Sequence, residues 1–199
     1  MSRTSGIIAG LVICASLVSA CSSKSPAAQK TTRPHVTTET VRIGRYTQVF
    51  DTSLPADPAQ ASVVEGFRTA VILWDKSQEK QALVSPVTAY VTGRALGDLK
   101  ASLVSMQDAK VIPAGTDRFF KTTAAVASGT SATITTCDDG SRFEEVNRST
   151  GVPDPAMSAP ANQQYLFETW QMARVAGHWA ISAVSPVTLP DSRAKPCQP

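Results

Sequence analysis

Histidine is nearly missing from this 199-residue chain: there are 2, and the rest of the polar chemistry has to be weighed around that shortage. His35 lies in a Ser/Thr/Pro-rich stretch without fixed partners, and His178 lies beside Trp179 at a turn signal. A Ser-His-Asp or Cys-His nucleophile would therefore depend on His178 alone, and no G-x-S-x-G accompanies it. No G-x-x-x-x-G-K is present to cradle phosphate, and Gly93 and Gly97 do not form one. A formal net charge of +3, with the basic residues scattered and no aromatics interleaved, excludes the clustered basic face that nucleic acid needs. No catalytic residue, metal site or cofactor is expected from these patterns.

Long apolar runs are also lacking. The longest, Ile7 to Val18, spans about 12 residues and at ~1.5 Å per residue falls short of a bilayer core of ~30 Å. It follows "MSRTSG", with Arg3 as the only charge, and precedes "VSAC", so it has the three parts of a secretory signal. Val18, Ser19 and Ala20 before Cys21 resemble the lipobox of bacterial lipoproteins. That resemblance implies cleavage after residue 20 and a diacylglycerol thioether on Cys21, anchoring the protein to the extracytoplasmic face of the cell membrane. Each buried methylene contributes about 0.8 kcal/mol, so one chain is marginal and two hold firmly. An ordinary signal peptide cut after Ala20 would instead leave Cys21 free.

Cysteine is scarce too, with 4 in the chain. Cys14 leaves with the signal and Cys21 takes lipid, so Cys137 and Cys197 remain as a pair in an oxidising compartment. A bridge between them closes a loop of about 60 residues and restrains the tail "DSRAKPCQP". The alternative is a metal site, for which neither a C-x-x-C nor a paired histidine is at hand.

Residues 21–56 read as a flexible tether with a short strand or arm in "VRIGRYTQVF"; the Ser/Thr/Pro-rich first twenty would span roughly 25 Å. Residues 57–199 carry the folded domain. Asp57, Pro58 and Gln60 form a helix start, and Val63, Phe67, Ala70, Val71 and Trp74 recur as one apolar stripe. Ser85-Pro86 opens a short helix around "VTAYV", and Leu96, Leu99, Leu103 and Met106 mark a third after Gly93. From Gly115 the period becomes two: "DRFFKTTAAVA", "SATITTC" and "SRFEEVN" are predicted strands, separated by turns at "SGT" and "DDG". A loop follows, then "QQYLFETWQMARV" and "HWAISAVSP" as a hairpin through Ala176-Gly177. Helices first and antiparallel strands after predict an α+β fold. Asp138, Asp139, Glu144 and Glu145 cluster in sequence, but on a strand Glu144 and Glu145 face opposite ways, and the group reads as a solvated turn.

The helix bearing Trp74, "YVTGRALGDLKASLVSM", "SATITTCDDGSRFEEVNRSTG", the late "GHWAIS" and Cys197 near the end together resemble the NTF2-like (cone-shaped α+β) domains of actinobacterial secreted lipoproteins. The resemblance covers about residues 57 to 197. It implies N-terminal helices packed on a curved antiparallel sheet, a strand-to-tail disulfide between Cys137 and Cys197, and a conical cavity. Phe67, Trp74, Tyr90 and Trp170 are the candidates to line that cavity. The resemblance implies a fold and a location more than a reaction; the function expected is a non-enzymatic, membrane-tethered binding or accessory module, holding a small apolar ligand in the cone or an envelope protein on the sheet. The alternative is an isomerase or dehydratase of the ketosteroid isomerase type, which needs a carboxylate base and a phenol or acid facing the cavity.

Overall fold

The computed structural model describes residues 37–156, 160 and 164–199; the expected signal segment and Cys21 lie outside the described residues. Its elements follow the order β1 (Thr37–Ile43), β2 (Tyr46–Thr52), α1 (Pro58–Lys80), α2 (Val87–Tyr90), α3 (Gly93–Ala109), β3 (Val111–Ser128), β4 (Ser131–Asn147), β5 (Tyr165–Val175) and β6 (His178–Val187), with a 3-10 turn at Ser192–Cys197. Among the described residues no helix is long and apolar enough to cross a membrane.

Local chemistry sets the helix ends. The Asp57 carboxylate accepts from the Ala59 and Gln60 backbone N–H groups at 2.8 and 3.0 Å, satisfying donors the first turn leaves free. At the other end Gln81 adopts φ 53°, a conformation usually left to glycine. Its amide holds it there. Gln81 Nε2 donates to the Met106 and Val111 carbonyls, and its Oε1 accepts from Arg148. One side chain thus ties the end of α1 to the end of α3 and the start of β3.

The six strands form one sheet in sequence order, antiparallel except for the β2–β3 pair. A parallel pair needs a long connection, and the three helices supply it. They pack on one face of the sheet, with Val63, Phe67, Ala70 and Val71 of α1 and Leu99, Leu103 and Met106 of α3 buried. Phe67 stands edge-on to Phe119 and Trp170 at ring-centre distances of 6.0 and 5.4 Å, and Phe50 stacks on Phe119 at 5.4 Å. These rings, with Met172, Trp179 and Ile181, fill the space between helices and sheet. Gly66 lets α1 come this close: a Cβ there would lie 2.6 Å from Trp179 Cβ.

Two expectations are corrected here. Residues 37–52, assigned to the tether apart from a short strand, form the β1–β2 hairpin and are hydrogen-bonded into the sheet. The expected "DDG" turn is absent, because Asp138 pairs with Phe119 on one side and Leu166 on the other, and β4 runs through it unbroken. Three register shifts between β3 and β4 supply the bending that separate strands were expected to supply. The hairpin through Ala176-Gly177 forms as expected, with φ values of 48° and 90° that suit a tight two-residue turn.

Cys137 and Cys197 are joined by a disulfide, S–S 2.02 Å. Alternation along β4 sends Asp138 toward the helices and Cys137 to the opposite face, where the bridge fastens the 3-10 turn against β4 and β5.

Gly115 fixes the register at the pocket end. It pairs with Tyr46, has φ +83°, and a Cβ on it would meet the Arg142 carbonyl oxygen at 2.0 Å. Gly115→Ala is expected to cost at least ~2 kcal/mol in chemical denaturation, from backbone strain and the clash together. An unchanged midpoint would show that β3 can shift there freely.

Candidate functional site

Period-two alternation on four strands gathers the polar groups at one end of the helix-facing side. On β2, Tyr46, Gln48 and Phe50 face inward; on β4, Ile134, Thr136 and Asp138; on β5, Glu168, Trp170 and Met172. Asp117 of β3 pairs with Gln48. From the helix side Asp75 enters one turn after Val71, on the buried stripe of α1. The aromatic groups of these strands fill the middle of the molecule, while Tyr46, Asp75, Asp117 and Asp138 converge on a pocket of about 270 Å³. Phe143 and Leu166 supply its apolar wall, Gln78 and Gln164 its remaining side chains, and Gly140 part of its backbone.

The site is dense in carboxyl groups and poor in partners for them. The Tyr46 hydroxyl donates to Asp117 Oδ2 at 3.1 Å. Gln48 Nε2 donates to Asp75 Oδ2 through a short contact, and Trp170 Nε1 donates to Glu168 Oε2 at 3.0 Å behind the pocket. Asp138 is 7 % exposed; its carboxyl is paired with that of Asp117, and among the described residues its Oδ1 accepts from no donor. Among the described residues, no Lys, Arg or His lines the pocket.

Burial dominates the protonation of this group. Loss of solvent pushes the Asp75 and Asp138 carboxyls well above the ordinary range, and the neighbouring Asp117 and Glu168 carboxyls push both further. Burial, with the same Asp117 neighbour, raises Glu168 to about 8 despite the Trp170 hydrogen bond. Burial and the surrounding carboxyls raise the Tyr46 phenol too, so it remains a hydrogen-bond donor. Chemically, the pocket can accept hydrogen bonds or positive charge, or exchange protons between a phenol and carboxyls.

The residues singled out from sequence lie elsewhere. Phe67 and Trp170 belong to the aromatic packing, and Trp74 is half-buried against it. Tyr90 stacks on His178 with ring centres 4.5 Å apart, and His178 Nε2 shares a hydrogen bond of 2.9 Å with the Ala89 carbonyl. Both line a shallow groove beside Gly177 and Trp179, away from the acidic pocket. Asp138, expected in a solvated turn, is buried, whereas Asp139 remains half-buried and binds the Ser141 N–H at 3.0 Å. Glu144 is exposed and Glu145 half-buried. Among the described residues no group of three or more His, Cys, Asp or Glu is placed to hold a metal ion.

Tyr46, Asp75 and Asp138 carried a signal that composition alone hides. Asp75 continues the stripe set by Val71, and Tyr46-x-Gln48-x-Phe50 is a strand face ending on an aromatic. Asp138 continues Ala132-x-Ile134-x-Thr136 at the same period.

No protein-family model matches the chain, and no curated protein matches it by sequence. Solved structures similar in part include the intermembrane space region of the chloroplast protein ARC6, at 12% identity and TM-score 0.40, covering 67% of this chain and 99% of that one. A ketosteroid isomerase-like protein from Erwinia carotovora atroseptica aligns at 16% identity and TM-score 0.40, over 67% and 98% of the two chains. An NTF2-like protein of unknown function from Shewanella oneidensis aligns at 10% identity and TM-score 0.38, over 62% and 97%.

Proposed function

We propose that this protein is a lipid-anchored ligand-binding module of the cell envelope, built on an NTF2-like domain, with the acidic pocket as its ligand site. The observation that carries the binding role is the convergence of Tyr46, Asp75, Asp117 and Asp138 on a pocket with one apolar wall. The interior between helices and sheet is packed with Phe, Trp and Met side chains, so a small molecule would be held at its margin and not at its centre. A few convergent polar groups in an otherwise apolar recess is the usual make-up of such sites.

The anchor is tested by metabolic labelling with a palmitate analogue. The full chain is expected to take the label and Cys21→Ser to lose it; persistent label on the variant removes the anchor. Native mass spectrometry of the chain purified from its own membranes is expected to show a bound small molecule. Leu166→Trp, which places an indole in the pocket wall, is expected to lose it.

One observation favours a second reading. A phenol beside a buried carboxyl is the pairing that enolisation of a ketone requires, with Asp75 as base and Tyr46 as donor to the enolate oxygen. Against it, the Tyr46 hydroxyl is already engaged by Asp117. Cyclohex-3-enone incubated with the full chain is expected to conjugate no faster than in buffer. Acceleration that Tyr46→Phe removes would make the pocket an active site.

A further inference from the structure

We infer that the pocket selects a ligand with a cationic amine head on a small apolar body, the ammonium facing Asp138 and Asp75 and the body lying against Phe143 and Leu166. This rests on the acidic pocket being the ligand site, and adds the chemical class of what enters it.

Three features point to such a ligand. The first is charge: three carboxyl side chains line the pocket, a fourth, Glu168, is buried close to them, and among the described residues no basic side chain lines it. A buried carboxylate without a counter-charge is costly to keep ionised, so these groups rest protonated when the pocket is empty, and a positive group entering it is the partner that would favour their ionised form.

The second is an open acceptor. Asp138 is 93 % buried by its 7 % exposure, it lines the pocket, and among the described residues its Oδ1 accepts from no donor, the carboxyl being paired only with that of Asp117. The other carboxyls each accept from a neutral donor, Asp117 from Tyr46, Asp75 from Gln48 and Glu168 from Trp170, and the second buried acceptor of the site without a donor, Gln48 Oε1, does not line the pocket. An ammonium brings up to three donors, enough to reach Asp138 and a neighbouring carboxyl oxygen together.

The third is aromatic. Tyr46 and Phe143 both line the pocket and stand at 88° with ring centres 5.7 Å apart. The two rings give the pocket an aromatic wall beside its carboxyls, which accommodates the methylenes next to an ammonium. Because no three of these acids are placed to hold one metal ion among the described residues, an organic cation fits the arrangement better than a bare one.

Proton release follows from the same surroundings. The titratable groups facing Asp138 are Tyr46 on β2, Asp75 on α1, Asp117 on β3 and Glu168 on β5. Burial and this company favour the protonated carboxyl in the empty pocket, and an ammonium favours the carboxylate. Binding must then expel a proton, so affinity increases with pH while the amine itself stays charged.

Calorimetric titration of the full chain in detergent micelles with 2-phenylethylamine tests this, with 2-phenylethanol and phenylacetate as the neutral and anionic probes. The amine is expected to bind at one site, at least tenfold tighter than the alcohol, with no binding of the acid. Its affinity is expected to rise with pH above the ordinary aspartate range, by up to about tenfold per pH unit for each proton expelled. Asp138→Asn is expected to weaken amine binding at least tenfold, and Leu166→Trp to abolish it. Equal binding of amine and alcohol, both lost in Leu166→Trp, overturns the cationic class and leaves the pocket as ligand site. No binding of any of the three probes overturns both. Undiminished binding by Asp138→Asn overturns the placement of the ammonium. Should that variant not fold, a pH-independent affinity of the unmodified chain overturns it equally.

Discussion

Glu168→Gln is expected to stabilise the protein at pH 8 by on the order of 4 kcal/mol, since the shift of this carboxyl from 4.5 to about 8 opposes folding by about 1.4 kcal/mol per unit. The direction follows from proton counting. Glu168 is raised in the folded state, so between its ordinary value and about 8 the folded protein holds a proton that the unfolded chain has lost. Its favourable linkage to folding is complete below the ordinary value and is lost as pH rises toward 8. Glutamine retains an acceptor for Trp170 Nε1 and carries no charge to be desolvated. In thermal denaturation the gain corresponds to roughly 10 °C at pH 8, and at pH 5 it shrinks to under about 1 kcal/mol. An equal gain at both pH values would show that packing, and not protonation, had been changed.

Cys197→Ser is expected to have an effect of similar size and opposite sign. The bridge to Cys137 spans 60 residues of sequence, and closing a loop of that length lowers the entropy of the unfolded chain by about 4 kcal/mol in the chain-entropy model. The bridge also holds the 3-10 turn against β4 and β5, assisted by Lys121 Nζ, which donates to the Pro196 carbonyl at 2.6 Å. Urea denaturation without reductant should show the loss, and the same measurement with reductant should bring the unmodified chain to the variant's midpoint. A variant as stable as its parent would place the tail outside the cooperative unit. Because Cys137 and Asp138 are consecutive on β4 and point to opposite faces, the variant is not expected to alter the pocket.

The helices were legible because their signals are local. Asp57 and Pro58 mark a start, and Val63, Phe67, Ala70 and Val71 form a stripe that no other structure would use. The last hairpin was legible for the same reason, through Ala176-Gly177. The pocket was not, and each of its acids was hidden by a locally sensible reading. "CDDG" has turn composition, yet Asp138 is held in mid-strand by pairing on both sides, and β4 at 17 residues is about three times a common strand length. Asp75 follows Trp74 near the end of an apolar stripe, where a charge suggests the stripe has stopped. Tyr46 belongs to a hairpin whose partner β3 lies beyond three helices, a pairing that no local pattern announces. The expected cavity residues failed to meet in the pocket for a related reason. Phe67 and Trp170 are large enough to fill the cone themselves, so the accessible space moved to the end where the inward positions are Tyr and Asp.

Carboxyl-carbon NMR across a pH titration, on the full chain labelled at Asp and Glu, tests most directly whether this pocket holds uncompensated carboxyls that a cation completes. Asp75 and Asp138 are expected to titrate well above the ordinary aspartate range, and saturating 2-phenylethylamine is expected to lower both. Ordinary values for both residues in the free protein, or values that the amine leaves where they were, would contradict it.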